Sequence, residues 1–149
     1  IQREEVSLPY TIVPLYEKKG NLSWPLTGRV VTLYGDSRHR RFNTVTHHNG
    51  IEISPQKDTV VKAIHPGRVA YTDYFEGYGY LVIIDHGLTY YSLYGHLSSE
   101  FLVKKGDFVQ QEQPIATVGE FGSLKEETLY FEIREKTDPV NPLQWLKRR

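Results

Sequence analysis

Short runs rich in β-branched and aromatic residues, recurring about every ten residues between turn signals, limit this chain more than any other feature. They are RVVTLYG (29–35), TVVKAI (59–64), RVAYTDY (68–74), YLVIID (80–85), LTYYSLYG (88–95), PIATVG (114–119) and TLYFEIR (128–134). The turns between them read HPG (65–67), EGYG (76–79), DHG (85–87) and KKGD (104–107). No ten-residue amphipathic helical pattern interrupts the series. The pattern predicts an all-β domain built on antiparallel sheet, as an open sandwich or partly open barrel. Only NPLQWLKRR at the end invites a short C-terminal helix, with Pro142 tolerated in its first turn. Residues 1–20, with two prolines and no sustained period, read as a lead-in or linker, and 21–149 as the domain.

The last run alternates. Leu129, Phe131 and Ile133 share one face, and Thr128, Tyr130, Glu132 and Arg134 the other. The first face reads as core and the second as the wall of a site. Tyr130 and Arg134 point the same way about 13 Å apart, and both are residue types common in binding hot spots. On this reading their substitution disturbs binding and barely touches stability. The plainer alternative pairs Arg134 with Glu132 or Glu135 at the surface.

The bulk numbers exclude several classes. Eighteen basic and eighteen acidic residues balance to zero, so no nucleic-acid footprint is visible. RHRR (38–41) and the terminal KRR read as solvated surface. There is no cysteine, hence no disulfide and no thiolate metal site. No apolar run approaches the ~18 residues of a membrane span, and no signal peptide is visible. The chain opens at Ile1 and contains no methionine, which reads as a piece of a longer protein. Eleven tyrosines fit either strand propensity or an aromatic groove for sugars or a partner chain.

Several blocks together resemble the lysostaphin/LytM-type zinc peptidases, which cut peptidoglycan cross-bridges. LSWPLTGRVVTLYG (22–35) is similar to that family's opening strand, and HHNGIEI (47–53) to its H-x-G-x-D-I block. GYGYLVIIDHGLTYYSLYGHLS (77–98) resembles the stretch ending in Tyr-x-His-Leu. TLYFEIREKTDPVNPLQWL (128–146) stands where the family has H-x-H-F-E and a terminal P-x-x-(W/Y)-L. VKKGDFVQQEQPIATVG (103–119) matches the intervening hairpin. That segment also resembles the hairpin of biotinyl and lipoyl carriers, but lacks their lysine tip.

The resemblance implies three zinc ligands and two catalytic histidines, and most of these positions are changed. His48 stands at the first ligand position, Glu52 replaces the aspartate, and Tyr130 replaces the last histidine ligand. His96 keeps one catalytic position and Thr128 replaces the other. A phenol with pKa near ~10 is a poor zinc ligand at neutral pH unless the metal ionises it. The resemblance therefore implies a vestigial site, with no catalytic residue, no bound zinc and no other cofactor. The remaining histidines, His39, His47, His65 and His86, read as turn and surface residues.

Within the family, L-Y-F-E-I-R followed by V-N-P and a terminal W-L is similar to the EnvC-type activators of cell-wall amidases. This implies a non-catalytic domain on the outer side of the inner membrane, in the periplasm, with a cell-wall amidase as partner and peptidoglycan as a further one. The groove expected to carry binding comprises Asn49, Glu52, Tyr78, His96, Tyr130 and Arg134. Two alternatives stand beside it: an active zinc endopeptidase using His48, Glu52 and an atypical third ligand, and a passive peptidoglycan-binding module.

Overall fold

The computed structural model describes residues 13–119 and 127–148. The strands are β1 (Gly28–Thr32), β2 (Gly35–His39), β3 (Thr44–His48), β4 (Ile51–Pro55), β5 (Val60–Lys62) and β6 (Gly67–Phe75). They continue with β7 (Gly79–Gly87), β8 (Tyr90–Leu97), β9 (Phe108–Val109), β10 (Pro114–Thr117), β11 (Leu129–Glu135) and β12 (Asp138–Val140). Seven of them run side by side in the order β1-β4-β11-β8-β7-β6-β9, and β12 pairs with β11 to complete an eight-stranded antiparallel sheet. β5 and β10 form a small second sheet, and β2 and β3 a separate ribbon. The all-β antiparallel expectation holds.

The predicted alternation in β11 is what the sheet uses. Leu129, Phe131 and Ile133 are wholly buried and join Ile51, Ile53, Val82 and Ile84 from neighbouring strands. The β5–β10 layer adds Val61, Ile115 and Ala116 to the same cluster, and Trp145 and Leu146 belong to it too. Burying such side chains is worth about 1.5–3 kcal/mol each, the main term holding the two layers together. Tyr94 also lies in this core, its hydroxyl accepting from the Ile64 amide at 3.1 Å. Of the eleven tyrosines, Tyr94 is thus a core residue rather than part of an aromatic groove.

The hairpin reading and the placing of two histidines need correction. The 103–119 segment is not a closed hairpin: β9 pairs with β6 and β10 with β5, so its strands part to serve two sheets. The expected short C-terminal helix is present as a 3-10 turn, Pro142–Gln144, capped by the Asn141 side chain accepting from Leu143 N at 3.1 Å. It stops because Trp145 and Leu146 must enter the core, and the chain then bonds alongside Leu22. His65 and His86 are buried, not surface residues. Pro66 O and Ser92 Oγ lie 2.8 and 2.7 Å from the His86 ring nitrogens. A carbonyl only accepts, so Nδ1 carries the proton and donates it to Pro66 O.

The described end of the lead-in packs on the domain. Leu15, in a 3-10 turn over Leu15–Lys18, is buried in the core, and Gly20 N donates to Trp145 O at 2.8 Å. Residues 1–12 of that segment lie outside the described residues.

Candidate functional site

Strand register brings the altered family positions together. Tyr130 lies opposite Glu52 of β4 on one side and Gly95 of β8 on the other. His96 follows Gly95 where the β7–β8 register slips, and it adopts a left-handed φ of 61°. A bulge of this kind re-aims a side chain, and such features recur beside active sites. The His96 amide donates to Tyr78 O at 2.8 Å and its carbonyl accepts from Gly119 N at 2.9 Å. Its ring stands 5.6 Å from that of Tyr130. Thr128 Oγ1 donates to Glu52 Oε1 at 3.2 Å. Glu52, His96, Thr128 and Tyr130 therefore share one neighbourhood. His48 closes the β2–β3 ribbon, half-buried and paired with Gly35.

The residue that organises this face is Glu132, which the sequence reading left out of the site. Its side chain is fully buried. Arg134 Nε donates to Oε1 at 2.6 Å, Tyr78 Oη to Oε2 at 3.2 Å, and Tyr130 Oη also donates to Oε2. Arg134 reaches Tyr78 Oη and Thr137 O, each at 3.3 Å. Gly50 makes room for this cluster. A Cβ there would stand 2.3 Å from Phe131 O and 2.7 Å from Glu132 Cγ, so Gly50 lies against the carboxylate stem. The available signal was period two: a lone acid with donors two residues away on either side. It was weak because such a glutamate ordinarily faces water.

Arg134 is therefore not a free surface clamp, and its partner is buried rather than exposed. The network also bears on metal binding. Burial first, then the hydrogen bond and charge of Glu132, push the Tyr130 phenol well above the usual tyrosine range. It sits as a neutral donor, the opposite of what a zinc ligand requires. Among the described residues, no three His, Cys, Asp or Glu side chains stand close enough to share a metal ion. The donor set does not fit a catalytic zinc, which needs three such ligands and an open position.

Beside Arg134 the same sheet face opens into a pocket of about 220 Å³. Tyr71, Phe75, Tyr78, Leu81, Ile83 and Leu93 line it, with the guanidinium at its margin. The lining is mostly apolar, and Phe75 is 50% exposed.

The sequence profile of Peptidase family M23 matches residues 46–142, from the end of the β2–β3 ribbon to the start of the terminal turn. This chain belongs to that family. It is 39% identical over 130 residues to the murein hydrolase activator EnvC of Escherichia coli K12, covering 87% of this chain and 30% of that protein. It is 37% identical over 127 residues to the murein hydrolase activator NlpD of the same organism, covering 85% and 31%. The chain thus spans about a third of the length of these relatives. A zinc-containing peptidase from Vibrio cholerae superposes with a TM-score of 0.74 at 25% identity, over 87% of this chain and 41% of that one. The SpoIIQ–SpoIIIAH pore-forming complex gives a TM-score of 0.71 at 26% identity, over 87% and 92%. The likeness thus reaches zinc-containing and activator proteins alike, so the site residues carry the choice between hydrolysis and binding.

Proposed function

We propose that this M23 domain is non-catalytic and activates a peptidoglycan hydrolase, an N-acetylmuramoyl-L-alanine amidase, by binding it through the groove. One observation carries the reading. Two of the family's three metal positions are engaged by neighbouring side chains, Tyr130 by Glu132 and Glu52 by Thr128, while an apolar pocket beside them stays open. Such a face has lost the electrophile for hydrolysis and kept the concave apolar surface for a partner. The names of the EnvC and NlpD relatives support the same direction, and a 37% identical relative from Pseudomonas aeruginosa carries the name lipoprotein NlpD/LppB homolog. On this reading the domain works in the cell envelope, outside the inner membrane. Asn49, Glu52 and His96 border the contact; Glu132 and Arg134 hold Tyr78 and Tyr130 in place for it.

The test is release of soluble muropeptides from purified sacculi. The chain alone should release none, with or without added zinc. With its amidase, release should rise, and Phe75→Ala should cut affinity about tenfold because the ring is an exposed pocket wall. Thermal unfolding of that variant should match wild type. Chelator-sensitive release by the chain alone would establish the zinc endopeptidase instead. Sacculus binding with no effect on any amidase would establish a passive wall-binding module.

A further inference from the structure

The β2–β3 ribbon is the part of the fold that the groove does not account for. Residues 36–47 are exposed throughout, on both faces of both strands. A two-stranded ribbon that buries nothing is marginal in water, so the core does not explain its form. Its tip is nevertheless well built. Asn43 takes a left-handed φ of 53° and its amide donates to His39 O at 2.8 Å. Arg38 Nη1 donates to Asn43 Oδ1 at 2.6 Å, and the Phe42 amide donates to His39 Nδ1 at 3.3 Å. The His39 ring stacks on Phe42 with centroids 4.8 Å apart. The turn thereby holds Phe42 outward, 66% exposed, with the Arg41 guanidinium 5.9 Å from its ring. Residues 35–48 carry Arg38, Arg40 and Arg41 against Asp36 alone, +3 and −1, in a chain whose formal charge is zero. Asp36 is itself engaged by His47 Nδ1 at 2.7 Å.

We propose that this tip docks on the surface of an anionic phospholipid bilayer. The shape decides against the other anions of an envelope. A convex tip cannot enclose a sugar or a peptide, which bind in concave sites. A bilayer yields around a protrusion. Guanidinium forks match phosphodiester oxygens, and an aromatic ring flanked by cations seats at the headgroup boundary. Anionic lipid attracts basic residues individually, so no built pocket is needed. The inference stands whether or not the domain activates a hydrolase.

The test is cosedimentation of the 149-residue chain with three targets: phosphatidylglycerol–phosphatidylethanolamine vesicles, phosphatidylcholine vesicles and purified sacculi. The chain should prefer the anionic vesicles by about tenfold or more, and ~0.5 M salt should abolish the preference. Arg40→Glu with Arg41→Glu should lose at least about tenfold in partition, and Phe42→Ser should lose roughly threefold. Thermal midpoints should not move, since none of these side chains is buried. Equal binding to both vesicle types, or variants that partition like wild type, would overturn the proposal. So would tip-dependent binding to sacculi without binding to vesicles.

Discussion

Glu132 is a buried carboxylate with three donor side chains on it, and its loss of partners has a calculable direction. Arg134→Ala removes the counter-charge and leaves the anion to two phenols. Breaking a buried pair costs about 3–5 kcal/mol, and Arg134 is partly open to water, so about 2–4 kcal/mol is expected here. Tyr130→Phe removes one neutral donor from the same oxygen and should cost about 1–2 kcal/mol. Urea unfolding of the two variants measures both. Equal, negligible effects would mean that Glu132 is solvated. The expectation that substitutions at Tyr130 and Arg134 spare stability is thereby replaced. Amidase assays at these positions need a folding control, and Phe75, whose ring meets the network only at Tyr78 with centroids 5.8 Å apart, is the cleaner probe.

At the level of elements, the β7–β8 hairpin carries a local conflict between chain and fold. Its two loop residues, Leu88 and Thr89, have φ of 55° and 70°, the left-handed pair that a tight hairpin demands. Asn-Gly suits that geometry; leucine pays about 1–2 kcal/mol for it. Leu88 is also 64% exposed, so no burial compensates. Leu88→Asn should therefore stabilise the domain by about 1 kcal/mol, seen as a rise in thermal midpoint. A fall would show that the leucine makes a contact worth more than its strain. His96 carries the same left-handed strain inside a strand, but there the bulge sets its ring 5.6 Å from that of Tyr130, and relieving it would move that ring.

Across the whole molecule, the buried histidines tie stability to pH. His86 is enclosed between Pro66 and Ser92, and burial lowers its pKa from 6.5 to about 3. Burial also lowers that of His65, whose ring meets Val13 O at 2.6 Å. The unfolded chain takes up protons below its ordinary histidine pKa that the folded chain refuses. Stability is therefore full above pH 6.5 and falls as the pH drops towards 3. That displacement of the His86 pKa corresponds to a loss of roughly 4–5 kcal/mol at the acid end. Urea unfolding between those limits should show this slope, reduced in His86→Gln. An unchanged slope in the variant would place the acid sensitivity elsewhere.

Seven of the twelve strands among the described residues, and the two faces of β11, were legible in the sequence because a period of two is a local property; β2, β3, β4, β9 and β12 lay outside the runs read as strands. Leu129, Phe131 and Ile133 had only to alternate with polar neighbours for their burial to be foreseen. The family was legible for a similar reason, since its blocks keep their order and spacing along the chain. Even the replacement of the ligand positions by Glu52 and Tyr130 could be read without coordinates. What the replacements do could not. Glu132 became the centre of the site because β8, the Tyr78 turn and Gly50 exclude water from a carboxylate that, in isolation, would face solvent. His65 and His86 looked like turn residues because DHG and HPG are turn signals, yet register folds those two turns onto each other in the core. The ribbon tip was read as solvated charge, and only its fixed turn showed Phe42 held outward among the arginines. Local pattern sets which way a side chain points; desolvation and charge pairing depend on what arrives from far along the chain, and only tertiary packing decides that.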